Sequence, residues 1–202
     1  MNRSVRLAAV LVVLAASLFF LASPSSAKLV VNTSTRSEMV WGRSEQELQS
    51  SIVDHVFSTA ENSPTAAAMC GAMPEVKFTI RHDGERYKLE SWVVKLAIVY
   101  YYPKWGNVSY AGSSLREKWA TYLRVLKIHE ETHGAIAKKY ARMIDKALGK
   151  VHSATKPEVI KAEVDMTFAD IWAEQHQAQV QFDATSNPVR FPLPQSFEPL
   201  RE

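Results

Sequence analysis

A single cysteine, Cys70, stands in a chain of 202 residues, so no intramolecular disulfide can form, and the fold has to be held by its core and any bound metal. An excess of charge of one sign is also missing. Of 24 lysines and arginines, Arg3 and Arg6 fall in an N-terminal leader, which leaves 22 against 21 acidic side chains. So balanced a chain carries no electrostatic footprint for nucleic acid. Long apolar runs are absent apart from residues 7–22, and that run is short for a membrane span and is followed at once by Pro24-Ser25-Ser26. No internal repeat or low-complexity block is visible.

What is there begins with residues 1–27: a basic start at Arg3 and Arg6, the apolar run, and a small-residue end with Ser25 and Ala27 at an A-x-A-like site. This pattern predicts a signal peptide cleaved near Ala27. The mature protein is then expected to be secreted or periplasmic, with no membrane association. No cysteine lies near the cleavage point, so a lipid anchor is not expected. Residues 28–185 are enough for one domain with a sizeable core, and 186–202 form a proline-rich C-terminal tail.

The stretch that carries chemistry is His129-Glu130-Glu131-Thr132-His133, an H-E-x-x-H sequence inside a long helical pattern. Residues four apart lie one turn apart on one side of a helix, so two imidazoles at this spacing can share a tetrahedral Zn²⁺. Glu130, one position round from His129, is then placed as general base for the attacking water, the metallopeptidase arrangement. At 100° per residue, Trp119, Tyr122, Leu126, His129, His133, Ala137, Tyr140 and Ile144 share one stripe, and Lys127, Glu131, Lys138 and Arg142 fall opposite. The histidines should therefore point inward. Either one alone would be read as a satisfied core residue; the pair with Glu130 points to metal.

Around this helix the pattern predicts short strands at 29–31 and 38–41, and a capping box Ser44-x-x-Glu47 opening a helix to about Phe57. His55 on that helix has no neighbours at ligand spacing. Residues 58–74 should be a loop. A hairpin follows, with arms at 75–81 and 87–102 joined at Asp83-Gly84. In zinc peptidases of this sort such a strand often receives substrate at its edge. Ser114-x-x-Glu117 should cap the long helix, which stops at Gly149, and Gly134 directly after the second histidine is explained by close approach of another segment or as a tolerated helix glycine. A third helix should start near Pro157 and fold back antiparallel, bringing Gln175 beside His129 and Ile171 beside His133. Glu163 is then too low to reach the site and Asp170 faces water. The chain from Phe182 on is expected to be extended.

Several of these segments together resemble a bacterial family of predicted secreted zinc-dependent proteases, catalogued as a domain of unknown function. The resemblance covers most of the mature chain. It rests on Trp41-Gly42 leading into Ser44-Glu45-Gln46-Glu47-Leu48, on Tyr102-Pro103-Lys104-Trp105, and on Trp119-x-x-Tyr122-Leu123-x-x-Leu126-x-x-His129-Glu130-Glu131-x-His133. A closing Tyr-Asp-x-Thr-Thr-x-His-Gly motif of that family is matched by Phe182-Asp183-Ala184-Thr185-Ser186-Asn187-Pro188-Val189, with Pro188 and Val189 in place of its histidine and glycine. The third metal ligand must then come from elsewhere: Asp183 is the first choice, since His-His-Asp is a known zinc set, His176 the second and Glu174 the third. The fold expected is α+β and zincin-like, a small antiparallel sheet packed on the H-E-x-x-H helix with a second, antiparallel helix. The expected activity is hydrolysis of a peptide or protein substrate, with Tyr140 or His176 as oxyanion stabiliser. The rival expectation is a non-catalytic exported binding protein with a degenerate metal site, which Pro188 favours.

Overall fold

Alternation of polar and apolar side chains through residues 75–102 is realised as a long hairpin in the computed structural model, which describes residues 28–54, 68–186 and 189–193. Strand β2 (Met69–Asp83) pairs antiparallel with β3 (Arg86–Trp105). Gly84, at φ 67°, supplies the left-handed backbone that the two-residue turn demands. The even-numbered residues of β3 from Trp92 to Tyr102 are all buried, so one face of the strand is core. Fully burying a Leu96 or Ile98 side chain contributes about 1.5–3 kcal/mol.

Strand β1 (Lys28–Val40) corrects the expectation of two short strands and of an antiparallel sheet. It is continuous, and it pairs parallel with β3 from Lys28 opposite Val93 to Val40 opposite Trp105, giving a mixed sheet in the order β1-β3-β2. Its residues 32–39 are exposed, which is why they do not alternate. β3 is therefore the central strand, paired on both sides from Val93 to Tyr101, contrary to the edge role expected of it. Residues 69–74, expected to be loop, begin β2; Pro74 is tolerated there because β2 is an edge strand, where a missing N–H need not interrupt the ladder.

Helix α1 (Glu45–Asp54) opens on the expected capping residues, with one change of partner. Ser44 Oγ accepts the Glu47 N–H at 3.2 Å, and the Glu47 carboxylate reaches back to the N–H of Arg43 at 2.6 Å, one residue earlier than the standard box. His55 and residues 58–67 lie outside the described residues. Helix α2 (Ser113–Leu148) follows a short 3₁₀ turn (Val108–Tyr110) and begins with Gly112 as N-cap; no side chain caps it, so the Ser114 box is not formed. Helix α3 (Pro157–Thr185) has proline in its first turn, where the lost N–H has no partner to forfeit. It stays helical through Thr185, so Phe182 and Asp183 lie in its last turn and not in an extended tail. Beyond it, Phe191 is buried edge-on against Trp119 and Tyr122.

The face of α2 on the sheet is displaced from the expected stripe. Trp119, Tyr122 and Leu126 begin it, but it continues through Glu130, Gly134, Ala137, Ala141 and Ile144, all buried, with His129 and His133 half-buried on its flank. Gly134 is the closest approach. A Cβ there would lie 1.9 Å from the Tyr100 hydroxyl and 2.9 Å from its ring, so the structure decides for close approach of a segment and against a merely tolerated glycine. Further along, Trp92 Nε1 donates to Asp145 Oδ1 at 2.8 Å, a second tie between sheet and helix.

In an open helix Gly→Ala gains up to about 1 kcal/mol, whereas a forced overlap in packed surroundings costs about 1–3 kcal/mol. Gly134→Ala should therefore destabilise the protein by about 1–2 kcal/mol in urea unfolding. Tyr100→Phe, which removes the nearest atom, should recover part of that loss; a neutral or stabilising Gly134→Ala would disprove the tight seat.

Candidate metal centre

The i and i+4 spacing of His129 and His133 becomes geometry because α2 is unbroken through this stretch, and their rings lie 4.9 Å apart by centroid. Both rings face α3, where Phe182 packs against each of them at 4.9 Å. Asp183, the next residue on α3, turns its carboxylate into the space between them: Oδ1 is 3.3 Å from His129 Nε2 and 2.9 Å from His133 Nε2, and the two Nε2 atoms are 3.2 Å apart. His129, His133 and Asp183 thus form a group able to hold a metal ion.

Three ligands on a tetrahedral zinc at bond lengths of about 2.0–2.1 Å lie about 3.3–3.4 Å from one another. One edge of the observed triangle has that length, a second, at 3.2 Å, falls just short of it, and the third, between His133 and the exposed Asp183, whose side chain can rotate, is 2.9 Å. Two imidazoles and one carboxylate are a donor set that suits zinc, and three protein ligands leave its fourth position open. The residues fit the ion.

Asp183 reaches His129 although Gln175 was expected at that height. The linker 149–156 does not fold back at once: Ala154 first exchanges both backbone hydrogen bonds with Tyr87 near the hairpin tip, at 2.7 and 2.9 Å. α3 consequently lies about two turns out of the expected register, and Gln179 is opposite His133. His176 and Glu174 are exposed and lie about two turns or more before Asp183 along α3, about 10 Å away for His176, so neither joins the group. Tyr140, two turns past His133, lies under the Lys139 ammonium, 5.4 Å from its ring centre, and is likewise not brought to the donors. Pro188 lies outside the described residues.

Glu130 is placed differently from its neighbours. Only 5% of it is exposed, and its carboxyl accepts the backbone N–H of Cys70 at the start of β2. Burial, with the Asp183 carboxylate adding repulsion, pushes Glu130 up to about 8, so without a cation nearby it holds its proton at neutral pH. His129 is shifted down, by burial first and by His133 second, against the pull of Asp183. A lowered histidine keeps the neutral form that a metal requires. Burial pushes the Cys70 thiol up to about 12, which leaves it protonated and inert as a nucleophile. The Tyr102 and Tyr122 hydroxyls and His129 Nδ1 are buried without a hydrogen-bond partner among the described residues. The Cys70 amide was beyond sequence reasoning, since a backbone donor leaves no mark in residue type.

An α+β protein with a candidate His-His-Asp metal centre on an H-E-x-x-H helix is the class that fold and site define. The chain belongs to the family described as "Bacterial protein of unknown function (DUF922)", whose model matches residues 35–189, a span that contains every residue of the site. No curated protein and no solved structure matches the chain.

Removing a direct ligand should weaken zinc binding by at least about tenfold, so Asp183→Ala should do so in competition titrations while His176→Ala leaves affinity unchanged. The reverse order would remove Asp183 from the site. Because the donors join α2 to α3, zinc at a hundred times its dissociation constant should add about 2.7 kcal/mol of stability. Chelator should abolish that gain in thermal melts, and superimposable curves with and without it would deny the coupling.

Proposed function

We propose that this protein is an exported zinc-dependent peptidase in which His129, His133 and Asp183 hold the ion and Glu130 is the general base. The observation that carries this reading is the convergence of two Nε2 atoms and one carboxylate oxygen within 2.9–3.3 Å of one another, one residue from a buried acid. When bound, zinc supplies Lewis-acid polarisation of a carbonyl and lowers the pKa of water towards neutrality.

The chain's own groups account for the rest. Burial keeps Glu130 weakly acidic, which suits a group that must take up a proton and later release it near pH 7. The Cys70 N–H orients its carboxyl, and ionisation of Glu130 is favoured once positive charge lies beside it. Asp183, with 57% of its side chain exposed, leaves the open side of the site towards solvent, where an extended chain can approach. Export is the reading of residues 1–27, which lie outside the described residues; among the described residues no helix is long and apolar enough to cross a membrane.

Metal content of the purified mature chain, followed by digestion of casein or a peptide library with and without chelator, tests the proposal. Glu130→Gln should abolish hydrolysis with zinc stoichiometry nearly intact, because the carboxylate moves protons and does not hold the ion. Unchanged turnover would remove Glu130 as the base. A zinc-loaded protein that cleaves nothing would instead support the non-catalytic binding protein.

A further inference from the structure

We propose that Gln179 is the positioning residue of the metal centre, its side-chain amide fixing His133 in the Nδ1–H tautomer so that the Nε2 lone pair faces the ion. The inference deepens the metal-site reading and rests on it. Gln179 meets His133 twice: its Nε2 donates to the His133 backbone carbonyl at 3.0 Å, and its Oε1 lies 2.5 Å from His133 Nδ1. A carbonyl oxygen only accepts, so the first contact assigns the NH₂ end of the amide and leaves the oxygen facing the ring. That oxygen can only accept as well. Nδ1 therefore carries a proton, and in the neutral imidazole that binds a metal, which has one N–H, Nε2 is left as the lone pair, 2.9 Å from Asp183 Oδ1.

His129 is not treated alike. Among the described residues its Nδ1 is buried with no hydrogen-bond partner, and its ring is held by packing against Phe182. Before an ion is bound, its Nε2 can carry the proton and donate across 3.2 Å to the His133 lone pair. To ligate, it must move that proton to an Nδ1 that has no acceptor among the described residues. The two histidines of the motif are thus unequal, His133 preset and His129 obliged to rearrange, and affinity depends the more on the Gln179 clamp. Gln179 and Asp183 are themselves four residues apart on α3 and oppose His133 and His129, so two one-turn pairs face each other across the helix contact.

The test uses the full mature chain, with zinc ions as the ligand. Nitrogen-15 NMR of the ion-free protein should show His133 as the Nδ1–H tautomer, and zinc dissociation constants come from competition with a chromophoric chelator. Gln179→Met, which keeps length but removes the acceptor, should release the tautomer and weaken zinc by about ten- to a hundredfold. Gln179→Glu, which keeps an acceptor for Nδ1–H, should retain the tautomer and stay within about threefold of the parent. A purely structural Gln179 would leave the tautomer unmoved in Gln179→Met. That result, unchanged affinity in Gln179→Met, or an Nε2–H His133 in the parent would each overturn the proposal. Should Gln179→Met fail to fold, the parent spectrum and Gln179→Glu decide. If the parent binds no zinc, the metal reading falls, and the His133 spectra still decide whether the clamp exists.

Discussion

The contact of Tyr100 with the bare backbone at Gly134 sets how close and how high α2 sits on the sheet, and the site follows from that seat. With no Cβ at Gly134 the helix comes down onto β3, which buries the stripe that runs through Glu130, Ala137 and Ala141. The neighbouring positions, His129 and His133, are turned by one residue's rotation onto the flank and meet α3 instead. One motif is thereby divided between two environments. Its acid lies dry against β2, and its imidazoles lie at a helix–helix contact with an opening to water.

That division has an electrostatic consequence. Glu130 is desolvated, with the Cys70 backbone N–H as a partner, whereas the Asp183 carboxylate keeps more than half its surface in water beside the histidines. Burial first, and the Asp183 carboxylate second, raise Glu130, so the buried acid holds its proton while no cation is near. Positive charge at the donor triangle relieves both groups: it neutralises the acceptors that converge on one point and favours ionisation of the acid behind them. The arrangement is thus better balanced with a cation than without one.

Much of this was legible in residue order. The i, i+4 histidines with Glu130, the hairpin turning at Gly84, the length of α2 and the proline that opens α3 are local features, encoded in spacing and backbone preference, and they stand where the pattern puts them. Asp183 was nameable as a donor from residue type and its place near the end of α3, but for a different reason from the one that brings it in: no chain reversal after the helix is needed, because Asp183 is itself in the last turn.

Relations between distant segments were not legible. That β1 runs parallel to β3 depends on how the chain crosses between β1 and β2, and an edge strand half in water has no alternation to announce its length. The register of α3 on α2 was set by the pairing of Ala154 with Tyr87, a backbone contact that residue types do not encode, and it exchanged Gln175 for Asp183 at His129. By itself the sequence determined which side chains are chemically able to bind a metal and which helix presents two of them. Tertiary structure alone decided that the acid faces the sheet, that α3 brings the third donor, and that Gln179 meets His133, because each depends on packing between residues far apart in the chain.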